Sequence, residues 1–253
     1  MKTLKELHLT RKGKVSDKWS SYLDFYDRLF SSFRLEDIKL LEIGVQNGGS
    51  LETWSSYFPN AQIFVGCDIN QKCRDLIYQD KKIHVVVGDA NSETAYQQVR
   101  QLTTYLDVII DDGSHQSRDI FLSFLNYFPL LKPGGLFIVE DAHTLFMNQY
   151  GGGILNNHSA QKFFYKLSDF VSYEFWSNHV SLEAFFADFF PTDQMPQFLV
   201  DGWVESVQFR NSMIVIEKAI TPSHNKLGAR LIAGSEAVVE PSILEQKPDS
   251  RVF

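Results

Sequence analysis

The pattern of hydrophobic and polar positions divides the chain into short apolar runs that alternate with amphipathic stretches. Apolar runs that predict strands span residues 39–45, 62–67, 83–87, 108–110 and 136–139. Stretches that predict the intervening helices span residues 51–57, 71–79, 92–102 and 117–131. Strands and helices that alternate in this way are typical of a parallel sheet with helices on both faces.

The regions on either side of this block carry weaker patterns. Residues 1–16 are polar and basic without clear periodicity, which indicates a mobile arm. Residues 16–18 are typical of a helix cap, and the apolar positions of residues 19–30 fall at helical spacing. This helix packs against the domain or forms a lid over a site. Beyond the block, residues 161–175 and 181–190 predict aromatic helices, and residues 204–217 predict an antiparallel hairpin.

These elements predict three regions. Residues 1–37 form an N-terminal arm and helix, residues 38–218 one α/β domain, and residues 219–253 a weakly patterned tail. Two hairpin strands added to five parallel strands give a doubly wound, mostly parallel, seven-stranded Rossmann-like sheet with a C-terminal antiparallel hairpin.

Composition narrows the classes of function. The 253 residues carry a formal net charge of −7 without a long Lys/Arg cluster, which argues against a nucleic-acid partner. No apolar run is long enough to span a membrane, and the first residues are too polar for a signal peptide. Cys67 and Cys73 are the only cysteines, so we expect a cytoplasmic protein without disulfides. The 21 Phe residues indicate core packing or a contact within a homo-oligomer.

A glycine-rich turn follows the first predicted strand. Gly44 and Gly48 precede Ser50 at the start of a predicted helix, where backbone N–H groups and the helix dipole favour an anionic or polar ligand. The second strand ends at Asp68, at the offset where an acid meets ribose hydroxyls in this class of fold. The glycine spacing differs from that of the dinucleotide fingerprint, and such turns also occur without ligands.

Two strand ends carry a similar pattern of two acids followed by a histidine. Asp111, Asp112 and His115 follow one strand, and Glu140, Asp141 and His143 follow the next. Because like charges at close range repel and raise each other's pKa, four carboxylates at one edge of a sheet indicate a bound cation. The alternative is that Asp112 and Asp141 only cap the following helices.

Together these motifs resemble the class I S-adenosylmethionine-dependent methyltransferases. The resemblance covers roughly residues 39–218 and rests on the E-x-G-x-x-x-G-G-S turn that starts at Glu42, the acid after the second strand, Gly-Asp-Ala after the third, Lys-Pro-Gly-Gly before the fifth, and the closing hairpin. The two acidic strand ends also resemble the metal-dependent sugar O-methyltransferases of macrolide biosynthesis, the mycinamicin type.

The resemblance implies a role for each motif residue. It implies Asp112, Glu140 and Asp141 as ligands of Mg²⁺ or Mn²⁺, which prefer hard oxygen donors. It implies His115 as the general base, in keeping with an imidazole that titrates near neutral pH. The residues that it implies for S-adenosylmethionine are Glu42, Gly44, Gly48 and Ser50 at the methionine portion, Asp68 at the ribose, Asp89 and Ala90 at the adenine, and Asp111 on the cofactor side.

The function implied is O-methylation of a hydroxyl on a sugar or glycosylated small molecule in natural product biosynthesis. Three alternatives remain open from the sequence. One is an enzyme on the same fold that resembles cephalosporin hydroxylases. Another is a non-catalytic scaffold that binds the cofactor, and the third is an NAD or nucleotide-sugar enzyme, whose glycine spacing differs.

Overall fold

A seven-stranded sheet forms the centre of the protein. The computed structural model describes residues 1–234, 236 and 238–240. The strands are β1 (Lys39–Ile43), β2 (Ile63–Asp68), β3 (Ile83–Val87), β4 (Leu106–Asp111), β5 (Leu131–Val139), β6 (Val204–Arg210) and β7 (Met213–Lys218). Their order is β3-β2-β1-β4-β5-β7-β6, with β1 to β5 parallel and β7 antiparallel to both of its neighbours. The predicted fold class, including the C-terminal hairpin, is confirmed.

Helices cover both faces of the sheet. The α-helices are α1 (Leu4–Thr10), α2 (Ser20–Leu29), α3 (Gly49–Tyr57), α4 (Glu93–Leu102), α5 (Ser117–Tyr127), α6 (Ala160–Phe170), α7 (Leu182–Phe185) and α8 (Gln197–Val200). Successive residues of a strand point to opposite faces, so β4 serves two cores. Val108 and Ile110 pack with side chains of α1 to α3, whereas Ile109 packs with α4 to α6. All six residues of β4 are buried, as predicted for a central strand.

The N-terminal region is folded onto the domain, so the expectation of an arm is wrong. Thr3 and Glu6 form a capping box that starts α1, and Leu4 is fully buried. The predicted cap at residues 16–18 is also wrong. Helix α2 begins at Ser20 without a side-chain cap, because residues 15–19 instead line a cavity at the edge of the sheet.

Several other predicted elements differ in length. Residues 71–79 contain only a 3₁₀ turn, Gln71–Asp75, in which Cys73 alone is buried, so no apolar stripe holds a longer helix. The predicted aromatic helices shorten to α6 and α7, with a 3₁₀ turn between them. Residues 132–135, predicted as a turn, form an irregularity inside β5, because Leu131 pairs with Leu106 of β4 whereas Leu136 pairs with Val108. These differences in element length do not change the predicted fold class.

The phenylalanine-rich region contributes to the core. Phe163, Phe164 and Phe186 are fully buried in the cluster on the α5–α6 face, which confirms the core interpretation. An oligomer contact stays a prediction. The predicted tail has neither helix nor strand over residues 221–234, and its residues 235, 237 and 241–253 lie outside the described residues. Within the described part of the chain, every helix is too short or too polar to cross a membrane.

Candidate active site

A cavity of ≈ 770 Å³ opens at the carboxyl ends of the parallel strands. Its volume lies within the range of small-molecule sites, and its position is the usual ligand position in open α/β sheets. Segment 15–19 covers one side of the cavity. The predicted site residues that line it are Gly44, Ser50, Asp68, Asp89, Ala90, Asp111, Asp112, His115, Glu140 and Asp141. Most of the residues predicted from the two motifs therefore share one cavity.

Gly44 brings the glycine-rich turn after β1 into contact with the loop after β4, which carries Asp112. Its φ is +92°, in the region that favours glycine, and an added Cβ would lie 2.1 Å from the carbonyl oxygen of Asp112. The main chain after β1 therefore touches the main chain after β4. As a result, a ligand bound at the turn lies next to the acids.

Asp68 organises the same turn. Its Oδ2 accepts the N–H groups of Val45 at 2.7 Å and Gln46 at 2.8 Å, and its Oδ1 accepts that of Asn70 at 2.8 Å. Each carboxylate oxygen can accept two hydrogen bonds, so Oδ1 can still accept one from a ligand hydroxyl. The predicted ribose contact stays a prediction.

Two predicted cofactor residues lie behind the cavity wall. Glu42 is fully buried and accepts the hydroxyl of Ser50 at 2.5 Å and the indole N–H of Trp54 at 3.1 Å. Gly48 precedes α3 at φ +84°, with Tyr78 packed against it. Neither lines the cavity, so the structure places them as supports of the turn. Burial raises the pKa of Glu42.

The remaining predicted cofactor residues have defined hydrogen bonds. Asp111 is buried and accepts hydrogen bonds from the hydroxyl of Ser123 and the N–H of Gly113. Burial raises its pKa to about 6. Asp89 accepts the N–H of Asn91 at 2.9 Å, while the carbonyl of Ala90 accepts a hydrogen bond from a buried tyrosine.

Three side chains converge at the acidic end of the cavity. His115 Nε2 lies 4.0 Å from Asp112 Oδ1 and 3.7 Å from Asp141 Oδ2. These separations exceed a hydrogen bond, which leaves room for an ion or a ligand atom among them. Within the described residues, this is the one His, Cys, Asp and Glu group close enough to hold a metal ion, with ligand atoms within 4.8 Å of one another.

Backbone strain accumulates at the same place. His115 and Asp141 have φ values of 57° and 50°, and Gln46 in the glycine-rich turn has a φ of 50°. Residues other than glycine rarely adopt this conformation, and such strain is concentrated at functional sites. All three residues line the cavity.

Lys18 lies between Glu140 and Asp112 and contacts both carboxylates. The Lys18 Nζ donates to Glu140 at 2.8 and 2.9 Å and to Asp112 Oδ2 at 2.5 Å, and it lies 3.7 Å from Glu42. Burial opposes the charged form of Lys18, but the three carboxylates outweigh it and hold the pKa of the ammonium above its ordinary value. The pKa of Glu140 is raised by burial, which Lys18 counteracts.

Helix α2 supplies hydroxyl groups to both acids after β5. Tyr22 donates to Asp141 Oδ1 at 2.7 Å, and Tyr26, one turn later, donates to Glu140 Oε1 at 2.7 Å. Burial raises the pKa of both tyrosines, so the hydroxyls stay protonated and donate. Trp19 adds an indole N–H to Asp141 Oδ1 at 3.0 Å while its side chain stays exposed. The packing interpretation of this helix therefore holds, with a direct link to the site.

His143 does not line the cavity. Its Nδ1 lies 2.6 Å from the hydroxyl of Ser212, which also bonds Tyr22, and 3.9 Å from Asp141 Oδ1. The two acidic motifs are therefore not equivalent, because of their two histidines only His115 reaches the space between the acids.

The donor set is compatible with a divalent cation. Asp112 Oδ1 and Asp141 Oδ2 face His115 and offer hard oxygen donors, and the Lys18 ammonium occupies a cation position between Asp112 and Glu140. Sequence reasoning missed Lys18, Tyr22 and Tyr26 as site residues. The available signal was a lysine just before a helix with tyrosines four residues apart, in a chain with acids at two strand ends.

Comparisons with known proteins find a family model and relatives that match this chain. A family model described as Methyltransferase domain matches residues 41–142. Over 134 residues, the chain is 36% identical to mycinamicin VI 2''-O-methyltransferase of Micromonospora griseorubida, covering 50% of this chain and 33% of that protein. It is 34% identical over 146 residues to 8-demethyl-8-alpha-L-rhamnosyl tetracenomycin-C 2'-O-methyltransferase of Streptomyces olivaceus, covering 54% of this chain and 38% of that protein.

A solved methyltransferase structure is also similar to this chain. The MycE methyltransferase from the mycinamycin biosynthetic pathway, in complex with Mg and SAH, matches with a TM-score of 0.67 and 25% identity. The match covers 90% of this chain and 57% of MycE. The matched segments span less than two fifths of the two curated relatives.

The fold and cavity resemble those of class I S-adenosylmethionine-dependent methyltransferases. More narrowly, the chain is similar to sugar O-methyltransferases of macrolide and polyketide pathways. The resemblance inferred from the sequence is thereby confirmed.

Proposed function

We propose that the protein is an S-adenosylmethionine-dependent, divalent-metal-assisted O-methyltransferase that acts on a hydroxyl of a sugar or glycosylated small molecule. One observation carries the proposal. The turn at Gly44 touches the backbone of Asp112, so a methyl donor bound at the turn lies beside the cluster of Asp112, His115 and Asp141. The curated relatives and MycE, whose structure contains Mg and SAH, support the same activity.

The glycine-rich turn and the start of α3 suit the donor. The turn lines the cavity with main chain, which lets a ligand approach closely, and Asp68 holds its N–H groups in place. Asp89 and Ala90 line the far wall, where the adenine would lie. This order along the wall matches the order of the predicted contacts with methionine, ribose and adenine.

The acids and the histidine suit the acceptor. Asp112, Glu140 and Asp141 would hold Mg²⁺ or Mn²⁺, which when bound would lower the pKa of a coordinated hydroxyl and orient it. His115 takes the hydroxyl proton on Nε2. The hydroxyl oxygen forms its bond to the donor methyl carbon as the carbon–sulfur bond breaks, and the electron pair leaves with sulfur. Holding both reactants in one cavity accounts for much of the rate increase.

The acceptor class follows from the relatives. They act on glycosylated small molecules such as mycinamicin VI and a rhamnosyl tetracenomycin. Trp19 is 61% exposed beside Asp141, so its ring offers an apolar surface at the edge of the cavity. A sugar ring with a polar edge toward the acids and an apolar face toward Trp19 fits this arrangement.

The test is methyl transfer from S-adenosylmethionine to a panel of deoxysugar-bearing macrolides and polyketides, followed by mass spectrometry. We expect transfer that EDTA abolishes and Mg²⁺ restores. His115→Gln should lower the rate by about 10²- to 10⁴-fold, the usual contribution of a general base. His143→Gln is the matched control and should change the rate only slightly, because His143 lies outside the cavity.

Four outcomes would contradict parts of the proposal. Undiminished transfer in EDTA would exclude the metal, and equal losses in the two histidine variants would exclude His115 as base. Cofactor binding without transfer to any acceptor would favour the scaffold alternative. Tighter binding of NAD than of S-adenosylmethionine would favour a different enzyme class.

A further inference from the structure

Lys18 occupies an unusual position for a lysine. Its side chain is only 5% exposed. Its ammonium lies within 4 Å of three carboxylates, which belong to Glu42 in β1, Asp112 after β4 and Glu140 after β5. Lysine is seldom buried unless it is paired. Here the pairing is with three acids, two of which, Glu42 and Glu140, have side-chain exposures of 0% and 2%.

The acids need a cation in this environment. Buried carboxylates without compensating charge are strongly unfavourable, and neighbouring ones repel one another. Lys18 supplies positive charge at hydrogen-bond distance from both oxygens of Glu140 and from Asp112 Oδ2. These oxygens belong to two of the three residues that the family resemblance implies as metal ligands, so the ammonium and a divalent cation would compete for them.

We propose that Lys18 is a displaceable internal cation, a positioning residue that holds Asp112 and Glu140 together until a divalent cation takes its place. This rests on the proposed function, because it requires a divalent cation at the acids. Binding of the cation would drive the Lys18 ammonium out of the cluster. A divalent ion and an ammonium on the same oxygens would repel each other at close range.

Displacement of Lys18 by a divalent cation would change how the cavity-lining residues 15–19 are held. Residues 15–19 line the cavity, and the segment is fixed on one side by the hydrogen bond from the Gly49 N–H to the Val15 carbonyl at 3.1 Å. On its other side Trp19 bonds Asp141. Departure of the Lys18 side chain therefore removes the central anchor of this segment while its two ends stay attached.

Chemical labelling of lysine in the intact protein tests the exchange. The protein is treated with a trace amount of an amine-acylating reagent with and without saturating Mg²⁺, and modification is measured at each lysine by mass spectrometry. We expect Mg²⁺ to raise the labelling rate of Lys18 by about tenfold or more, and EDTA to reverse the effect. Lys14 is the internal control, because it pairs with Glu52 at 3.1 Å outside the cluster.

A pair of variants gives an independent measurement. Lys18→Met removes the competing ammonium and should bind Mn²⁺ more tightly by about 5- to 150-fold, the usual range of coupling between two ligands. Lys14→Met removes the same charge next to the segment of residues 15–19 and should bind Mn²⁺ nearly as the wild type does. If Lys18→Met fails to fold, labelling of the wild type still decides the question.

The outcomes separate this inference from the proposed function. If Mn²⁺ binds the wild type but the labelling of Lys18 is unchanged, the exchange is wrong and the metal-assisted function stands. If no divalent cation binds the wild type, the metal part of the proposed function fails as well.

Discussion

Replacing Gly44 by alanine perturbs the contact between the cofactor turn and the acidic loop. The new Cβ would lie 2.1 Å from the Asp112 carbonyl oxygen and 2.7 Å from its carbonyl carbon, at a φ of +92°. An ordinary Cβ contact starts near 3.4 Å. The ends of β1 and β4 must therefore separate by more than an ångström, or the turn must change its conformation.

Both consequences lower stability. A left-handed conformation costs a residue with a side chain about 1–2 kcal/mol, and overpacking costs about 1–3 kcal/mol. The Gly44→Ala variant should therefore lose about 2–5 kcal/mol of unfolding free energy. It should also bind S-adenosylhomocysteine at least about tenfold more weakly, because the turn is part of the proposed cofactor site.

Urea denaturation and calorimetric titration with S-adenosylhomocysteine measure these changes. Gly88→Ala is the matched control, since Gly88 follows β3 and lines the same cavity, but its added Cβ would meet Ala95 at an ordinary 3.4 Å. It should lose less than about 1 kcal/mol. If Gly44→Ala unfolds at the same urea concentration as Gly88→Ala and binds S-adenosylhomocysteine equally well, the contact between Gly44 and Asp112 does not have the importance inferred here.

Two further substitutions test how the N-terminal helices are held. Tyr26→Phe removes the hydroxyl that donates to buried Glu140 at 2.7 Å, and should cost about 1–3 kcal/mol in urea denaturation. An unchanged unfolding free energy would mean that Glu140 does not depend on that donor. Thr3→Ala removes the capping box with Glu6, and should cost about 1 kcal/mol, visible as a lower melting temperature in circular dichroism. A melting temperature equal to that of the wild type would contradict the capping role.

The sheet was predictable because its strands carry a local signal. Val108, Ile109 and Ile110 form an apolar β-branched run that ends at acids, and each is fully buried in the structure. The hairpin was predictable for a similar reason, since two apolar runs flank a polar turn at residues 211–212. Short runs bounded by polar residues leave little freedom in where a strand ends.

Helices with weak apolar faces were predicted less well. Residues 71–79 have enough polar, helix-compatible side chains to suggest a helix, but with only Cys73 buried in the turn, the core contributes little to a longer one. The opposite error occurred at residues 4–10. There a polar helix is held by its capping box and by burial of Leu4, which a periodicity argument overlooks.

Some site residues could be predicted from the sequence and others could not, depending on whether they carry a local signal. Asp112, His115 and Asp141 were predictable, because strand ends bring them to one edge of the sheet. The role of Lys18 was not, because its partners Asp112 and Glu140 lie 94 and 122 residues away along the chain. Lys18 reaches those acids because α2, which begins two residues later, packs against the sheet.

The central claim is that one cavity holds a methyl donor next to a divalent cation at Asp112. A crystal structure of the protein with S-adenosylhomocysteine and Mn²⁺, with manganese located by anomalous scattering, tests this most directly. We expect a manganese peak bound to Asp112 and Asp141, and the cofactor product along the turn at Gly44 with its sulfur toward the metal. A cofactor product bound elsewhere, or the absence of manganese beside Asp112, would contradict it.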